Sequence, residues 1–532
     1  MHKSLFNCKP VLGEQYSIYF LVREVVPHRI VITLYNISRD VTTDNQLLAD
    51  TYDLYIGGEW TPGSDGERFP TTDPATEEPI AQVASATAED VDRAVEAARE
   101  AFPAWRDTAP EERGRIVHRI GRLVQEHREE LAAIESLDQG KPISQARSDM
   151  DGAARYFEYY AGAADKLEGT SVPVGPDQID FTLREPYGVS AQITPWNFPG
   201  NLFARGVAPA LVAGNTVVVK PAEQTPLSSL RLAELCTEAG VPDGVVNVVN
   251  GFGDPTGAAL SSHPGVDTIT FTGSVPTGQA IMKQAADTVT PVTLELGGKN
   301  PAIVFSDADL EEAAHWIDRA IFTNGGQVCS AADRAIVHES VHDELVDELV
   351  ARAEGYDLGP GSDDPDMGPL ASADQFEKVS RYVELGKSEG ATVVAGGNAP
   401  DREGYFFEPT IFTGVDNGMR IAQEEIFGPV LTVIPFDTEE RALEIANDVQ
   451  YGLVSGLFTA DVKRAHRFAR DLEAGNVYVN KWFGDTNQTP FGGYKHSGIG
   501  REKGLEALDS YLQTKNVAIN LADEDSGSLP GA

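Results

Sequence analysis

The chain has 532 residues, enough for about three domains and a large buried core. Hydrophobic residues make up 41% and aromatics 8%, a globular profile that argues against disorder. Asp plus Glu number 82 against 42 Lys plus Arg, a net charge of −40 that repels phosphate backbones and argues against nucleic acid as a partner. Spread along the chain, that excess predicts a surface tuned for concentrated salt, as in a halophile, where screening relieves self-repulsion. An ordinary acidic cytoplasmic protein is the alternative.

Three cysteines, Cys8, Cys236 and Cys329, are too few and too scattered for a disulfide framework or a metal cluster, and they predict a reducing cytoplasm. The most apolar stretch, Tyr16 to Ile37, is broken by Arg23, Glu24, Pro27, His28 and Arg29, so no membrane span is expected.

Residues 1–50 carry five Lys/Arg and five Asp/Glu, a neutral balance that sets them apart from everything downstream. They read as an atypical extension, disordered or the product of a start assigned too early, with no targeting signature. From Asp53 to Trp60 the pattern reads as a strand, ended by Thr61-Pro62-Gly63. Ala88 to Ala104 and then Pro110 to Leu137 follow helical periodicity. Strands and helices alternate from Val189 to Phe271 and again from Asn300 to about Phe436, which predicts an α/β fold of parallel, helix-covered sheets. The last residues, 521–532, read as a tail.

Chemistry enters with Thr194-Pro195-Trp196-Asn197-Phe198-Pro199, where two prolines hold an amide donor in a turn. Such a donor serves an oxyanion or merely caps the turn. In Val217-Val218-Val219-Lys220-Pro221-Ala222-Glu223 a buried strand ends in a lysine and a carboxylate, at the sheet edge where nucleotides bind. Glu223 there can accept both hydroxyls of a ribose. Phe271-Thr272-Gly273-Ser274 follows another strand, with Gly278 beyond, and can open a helix onto a pyrophosphate. The usual dinucleotide fingerprint of spaced glycines is missing. Glu295, between two leucines and ahead of Gly297-Gly298, has the apolar setting that raises a carboxyl toward general-base range. Cys329 follows Asn324-Gly325-Gly326-Gln327-Val328, where glycines allow close approach and a following helix would lower the thiol pKa from about 8.5. A buried core residue is the competing reading, and it is the one that fits Cys236 on an apolar helix stripe.

These motifs, with Glu424-Glu425-Ile426-Phe427-Gly428-Pro429 and Pro490-Phe491-Gly492-Gly493-Tyr494-Lys495, stand in an order and spacing that resemble the aldehyde dehydrogenase superfamily from about Tyr52 to Asn520. The resemblance implies an atypical Rossmann domain binding NAD, or NADP, over 52–166 and 187–297, and a catalytic domain over 298–490. It implies oligomerisation elements at 167–186 and 491–520, a projecting hairpin that needs partner strands, and so a homodimer or homotetramer. By the same resemblance Cys329 is the nucleophile that forms a hemithioacetal, Asn197 holds the oxyanion, and Glu295 activates the water that hydrolyses the thioester. Trp196, Lys220, Glu223, Gly273, Ser274, Gly278, Glu425 and Phe427 are implied at the cofactor, with Glu223 repelling a 2′-phosphate and so favouring NAD.

Glu295 argues against the CoA-acylating branch, which typically lacks that glutamate, and the intact Cys329, Glu295 and Asn197 argue against a non-catalytic, crystallin-like member. Phe198 and Arg205 are implied at the substrate. Arginine stands at the Arg205 position in succinic semialdehyde and lactaldehyde dehydrogenases, where enzymes for neutral aldehydes often carry tryptophan, and a guanidinium suits a small polar aldehyde or semialdehyde; a surface arginine paired with one of the many acids is the competing reading. Thr323 departs from the succinic semialdehyde pattern, which has a second arginine there. Trp482 to Gln488 matches no named branch, and Ala332-Asp333-Arg334 replaces the frequent Gly-Thr-Arg and adds a charge.

Overall fold

The structure, a computed structural model, describes residues 19–26, 29–36, 47–484 and 486–522. It divides into two units, 1–48 and 49–532. In the first, the strands Tyr19–Val26 and Arg29–Asn36 pair as an antiparallel ladder. The rest of the expected extension, and residues 523–532 of the expected tail, lie outside the described residues.

The second unit is built on two large sheets. Five parallel strands form the middle of the first: in spatial order Val292–Glu295, Thr268–Thr272, Val189–Ile193, Thr216–Lys220 and Val246–Val248. Nearly every residue in them is buried, because helices cover both faces of a parallel sheet and no face is left for water. The chain runs outward from Val189–Ile193 in one direction and then returns to its other side with Thr268–Thr272. The carboxyl ends of those two strands therefore flank a crevice, the place where open α/β sheets bind ligands. The expected single strand Asp53–Trp60 is instead a tight hairpin, Leu54–Ile56 with Glu59–Thr61, turned by Gly57-Gly58 at positive φ, and it caps the far edge of this sheet.

The second sheet has six parallel strands and one antiparallel edge, with Pro301–Val304 and Arg334–His338 at its centre. Residues Leu296–Asn300 pass from the first sheet to the second. A third, small sheet joins Leu512–Asn520 to Gln178–Pro186 and Ser171–Val172. Of the segment 491–520 expected to serve assembly, only this last strand belongs to that sheet. Gly498–Ile499 instead adds an edge to the first sheet, and Phe491 and Lys503 line a cavity. No helix among the described residues is long and apolar enough to cross a membrane.

Candidate active site

A cavity of about 460 Å³ opens where the crevice of the first sheet meets the loop leading into the strand Arg334–His338. Cys329, Asn197 and Glu295 all line it. No helix follows Cys329, contrary to expectation: it stands in a turn that leads straight into that strand. What the preceding glycines provide is backbone shape. Asn324, Gly325 and Gly326 take positive φ in succession (53, 61 and 72°), and a Cβ on Gly326 would lie 2.1 Å from the carbonyl oxygen of Gly428. Cys236 is fully buried in its helix, and burial pushes its thiol pKa up, as for a core residue.

Asn197 is tied to that loop twice. Its Nδ2 donates to the Gln327 carbonyl at 2.8 Å, and its own carbonyl accepts from Asn324 Nδ2 at 2.9 Å. A side-chain amide has two N–H bonds. One fixes the group, and the second can turn to an oxyanion.

Glu295 ends the strand Val292–Glu295 and is 2% exposed. Neither carboxyl oxygen has a hydrogen-bond partner among the described residues. Burial raises its pKa well above the usual carboxylate range, with Arg205 opposing the rise and Glu502 adding to it. Gly492 makes the room: a Cβ there would stand 2.7 Å from Glu295 Oε1.

Arg205 is 8% exposed on the helix Pro199–Ala213, and its guanidinium lies 4.7 Å above the Phe491 ring. Its Nε is 2.5 Å from a carboxylate oxygen of Glu502, itself buried. Sequence reading missed Glu502 because nothing in Arg501-Glu502-Lys503 distinguishes one acid among 82. Arg205, Phe198, Phe483 and Phe491 all line the cavity. Phe483 belongs to the stretch that matched no branch; Trp482 beside it is buried and donates from Nε1 to the Ser330 carbonyl at 2.7 Å, which braces the turn after the cysteine.

Trp196 and Phe427 meet edge to face, ring centres 5.3 Å apart, and line the cavity with Gly273, Ser274 and Glu425. The Glu425 carboxylate accepts the Gly298 N–H at 2.8 Å, and burial pushes its pKa up to about 7 against the pull of Lys378. A Cβ on Gly297 would sit 2.4 Å from Glu425 Oε2, which is why a double glycine stands there. Gln375 and Lys378 also line the cavity and carried no sequence signal beyond a helical pattern. Ser274 caps the twelve-residue helix Val275–Ala286, accepting from the Thr277 N–H.

Lys220, Glu223 and Gly278 do not line this cavity. Lys220 and Glu223 stand 3.6 Å apart at the end of the neighbouring strand, Glu223 partly exposed. Gly278 packs its helix against Leu296 instead, 2.7 Å from where a Cβ would be. Asp333 adds no free charge, because it pairs with buried Lys299 at 3.0 Å and accepts the Asn300 N–H. Among the described residues no group of His, Cys, Asp and Glu could hold a metal ion.

Residues 60–517 match the Aldehyde dehydrogenase family. The chain belongs to that family. It is 48% identical to an aldehyde dehydrogenase of Tanacetum cinerariifolium over 87% of this chain and 94% of that one. It is 44% identical to a hydroxyisobutyraldehyde dehydrogenase of Mycolicibacterium austroafricanum, covering 90% and 96%. The NAD+ complex of a Bacillus cereus aldehyde dehydrogenase superposes with a TM-score of 0.89 at 46% identity, covering 90% of this chain and 98% of that one.

Proposed function

We propose that Cys329, Asn197 and Glu295 carry out the NAD-dependent oxidation of an aldehyde to its carboxylic acid. The single observation that supports these roles is that a thiol, a half-committed amide and a carboxyl without a hydrogen-bond partner face one cavity. Cys329 Sγ attacks the carbonyl carbon. The oxygen, now negative, is met by Asn197 Nδ2 and the Cys329 backbone N–H. NAD, when bound, supplies the acceptor for the hydride that leaves this carbon. A thioester on Cys329 remains. Glu295 takes a proton from water, which attacks the thioester, and the acid departs as the thiol is restored.

The residues present fit a dinucleotide. Ser274 opens a helix at the crevice, as a pyrophosphate requires. Glu223 presents a carboxylate to a ribose and would repel a 2′-phosphate, so NAD is favoured over NADP. Trp196, Gly273, Glu425 and Phe427 border the inner end, and Lys220 the outer. On this reading the first sheet with residues 52–166 and 187–297 holds the cofactor, and the second sheet holds the cysteine loop.

The substrate is a small polar aldehyde. Arg205 faces the cavity with its charge balanced by Glu502, while its Nη2 is buried without a partner among the described residues. A charge-balanced guanidinium favours a hydroxyl over a free carboxylate. Assembly into a dimer or tetramer rests on the small third sheet, which exposes Val172, Ile179, Leu183 and Ile519 beside open strand edges. The scattered cysteines support a cytoplasmic location.

Cofactor absorbance in molar KCl, with NAD or NADP and with lactaldehyde, succinic semialdehyde or propanal, tests the reading. Faster turnover of lactaldehyde with NAD is expected, and none with Cys329→Ala. Preference for propanal would remove Arg205 from the substrate site, and wild type matching the alanine variant would remove the mechanism.

A further inference from the structure

Lys141 is the least expected charge in the molecule. It follows Gly140, which ends the helix Arg128–Gln139 in the left-handed conformation (φ 94°), and its side chain is completely buried. Its ammonium has three N–H bonds and three acceptors: Glu135 Oε1 at 2.7 Å, Asp149 Oδ2 at 2.5 Å and the Asn197 carbonyl at 2.9 Å. Burial works against its charge, but Asp149 and Glu135 hold its pKa above the ordinary lysine value. The same ammonium sits 4.3 Å from the centre of the Phe198 ring.

The two acids do more than balance the lysine. Glu135 Oε2 accepts the Gly200 N–H at 3.0 Å, and the Asp149 carbonyl accepts from Asn201 Nδ2 at 3.1 Å. Two separate pieces of chain, the last turns of one helix with the lysine after it and the first half of the next helix, Ile143–Ala161, are thus fastened to the stretch Trp196–Asn201 that opens Pro199–Ala213. An ion pair serving stability alone is commonly replaceable by apolar groups at little cost. This one directs its third N–H at the backbone of the residue whose amide reaches Cys329's loop, and Asn324 of that loop donates to the same carbonyl oxygen.

We propose that Lys141, held between Glu135 and Asp149, is a positioning residue that fixes the backbone of Asn197 so that its side-chain amide meets the developing oxyanion. The proposal rests on the oxyanion role given to Asn197 above. Lys141 touches neither substrate nor thiol. Its effect passes through Asn197, and it should therefore be felt in thioester formation and not in the intrinsic reactivity of Cys329.

A double-mutant cycle between Lys141 and Asn197 tests this. Lys141→Met alone leaves two buried carboxylates facing each other and can fail to fold, so the principal variant is Lys141→Met with Glu135→Gln and Asp149→Asn. The rate of the first-turnover burst of reduced cofactor with lactaldehyde and NAD, and the rate of Cys329 alkylation by iodoacetamide, are measured in both arms. The burst should slow about tenfold to a hundredfold, the scale on which displaced catalytic groups act, while alkylation stays within about threefold of wild type because the thiol itself is untouched. Adding Asn197→Ala should slow the burst no further than Asn197→Ala does alone. Losses that multiply, or a burst unchanged by the triple variant, would reduce Lys141 to core support. If Asn197→Ala alone leaves the burst at the wild-type rate, the oxyanion reading fails first and takes this proposal with it.

Discussion

Two buried ionic groups border the same cavity and are built on opposite plans. The Lys141 ammonium has an acceptor for each of its three N–H bonds, and the cluster reaches three elements of the fold. Around Glu295 the accounts are left open: both of its oxygens, one oxygen of Glu502 and two nitrogens of Arg205 lack hydrogen-bond partners among the described residues. Buried polar groups are ordinarily satisfied, and the exceptions call for a reason. On the proposed mechanism the difference separates support from reaction. A buried carboxyl with no hydrogen bond to stabilise its anion is held in its protonated form more strongly than a bonded one, whereas a group that only holds a backbone in place is best locked completely.

The largest effect should come from the group both regions serve. Cys329→Ala should lower turnover by more than about 10⁴-fold, as for other obligate nucleophiles, while quenching of tryptophan fluorescence by added NAD persists. Loss of the quenching together with activity would show that the change disturbed the cofactor site instead.

Glu295→Gln separates the two chemical steps. The first-turnover burst should survive and the steady state should fall about 10²- to 10³-fold, because only the general base is removed. The pH dependence has a definite sign. In its proposed role Glu295 works when ionised, and burial holds its pKa above the usual range, so hydrolysis should slow as pH falls toward that raised value. The glutamine variant should lose this acid limb. An acid limb identical in both proteins would assign it to another group.

Much of this plan was legible in the sequence, for definable reasons. Asn197, Glu295 and Cys329 sit in short segments rich in proline and glycine, each of which alone left a structural alternative open; their joint order and spacing, resembling the aldehyde dehydrogenase superfamily, singled them out, and the structure brings all three to one cavity. The parallel sheets were legible because strands buried on both faces read as unbroken apolar runs. Arg205 was noticed, but its partner Glu502 lies almost three hundred residues away and only the fold brings them together. Lys141 was invisible for the same reason: a lysine after Gly140 reads as a solvated helix end, and burial depends on two acids from different helices. The helix expected after Cys329 failed because the strand Arg334–His338 occupies the centre of the second sheet, and pairing on both sides fixes its conformation.

Selectivity effects should be smaller. Glu223→Ala removes the carboxylate expected to repel a 2′-phosphate, so the NADP to NAD ratio of kcat/KM should rise about tenfold to a hundredfold, the value of one close like-charge contact. Glu502→Gln probes the open cluster directly. It releases the Arg205 charge, and succinic semialdehyde should gain about tenfold over lactaldehyde as the guanidinium turns to a carboxylate. If the ratio of the two aldehydes is unchanged, Arg205 does not select between them.

The smallest effect belongs to salt, and it extends the contrast to the surface. Exposed pairs such as Arg115 with Glu111 and Arg122 with Glu126 are worth little and weaken as salt screens them. The net charge of −40 acts in the other direction, because repulsion among unpaired acids is screened too. At molar ionic strength the Debye length is about 3 Å, shorter than most spacings between surface charges but without reach into a dry cluster. Raising KCl from 0.1 to 2 M should therefore increase Tm by about 5 °C, and by the same amount in the triple variant at Glu135, Lys141 and Asp149. A smaller rise in the triple variant would mean that solvent ions reach the Lys141 cluster, and its role as a sealed support would have to be abandoned.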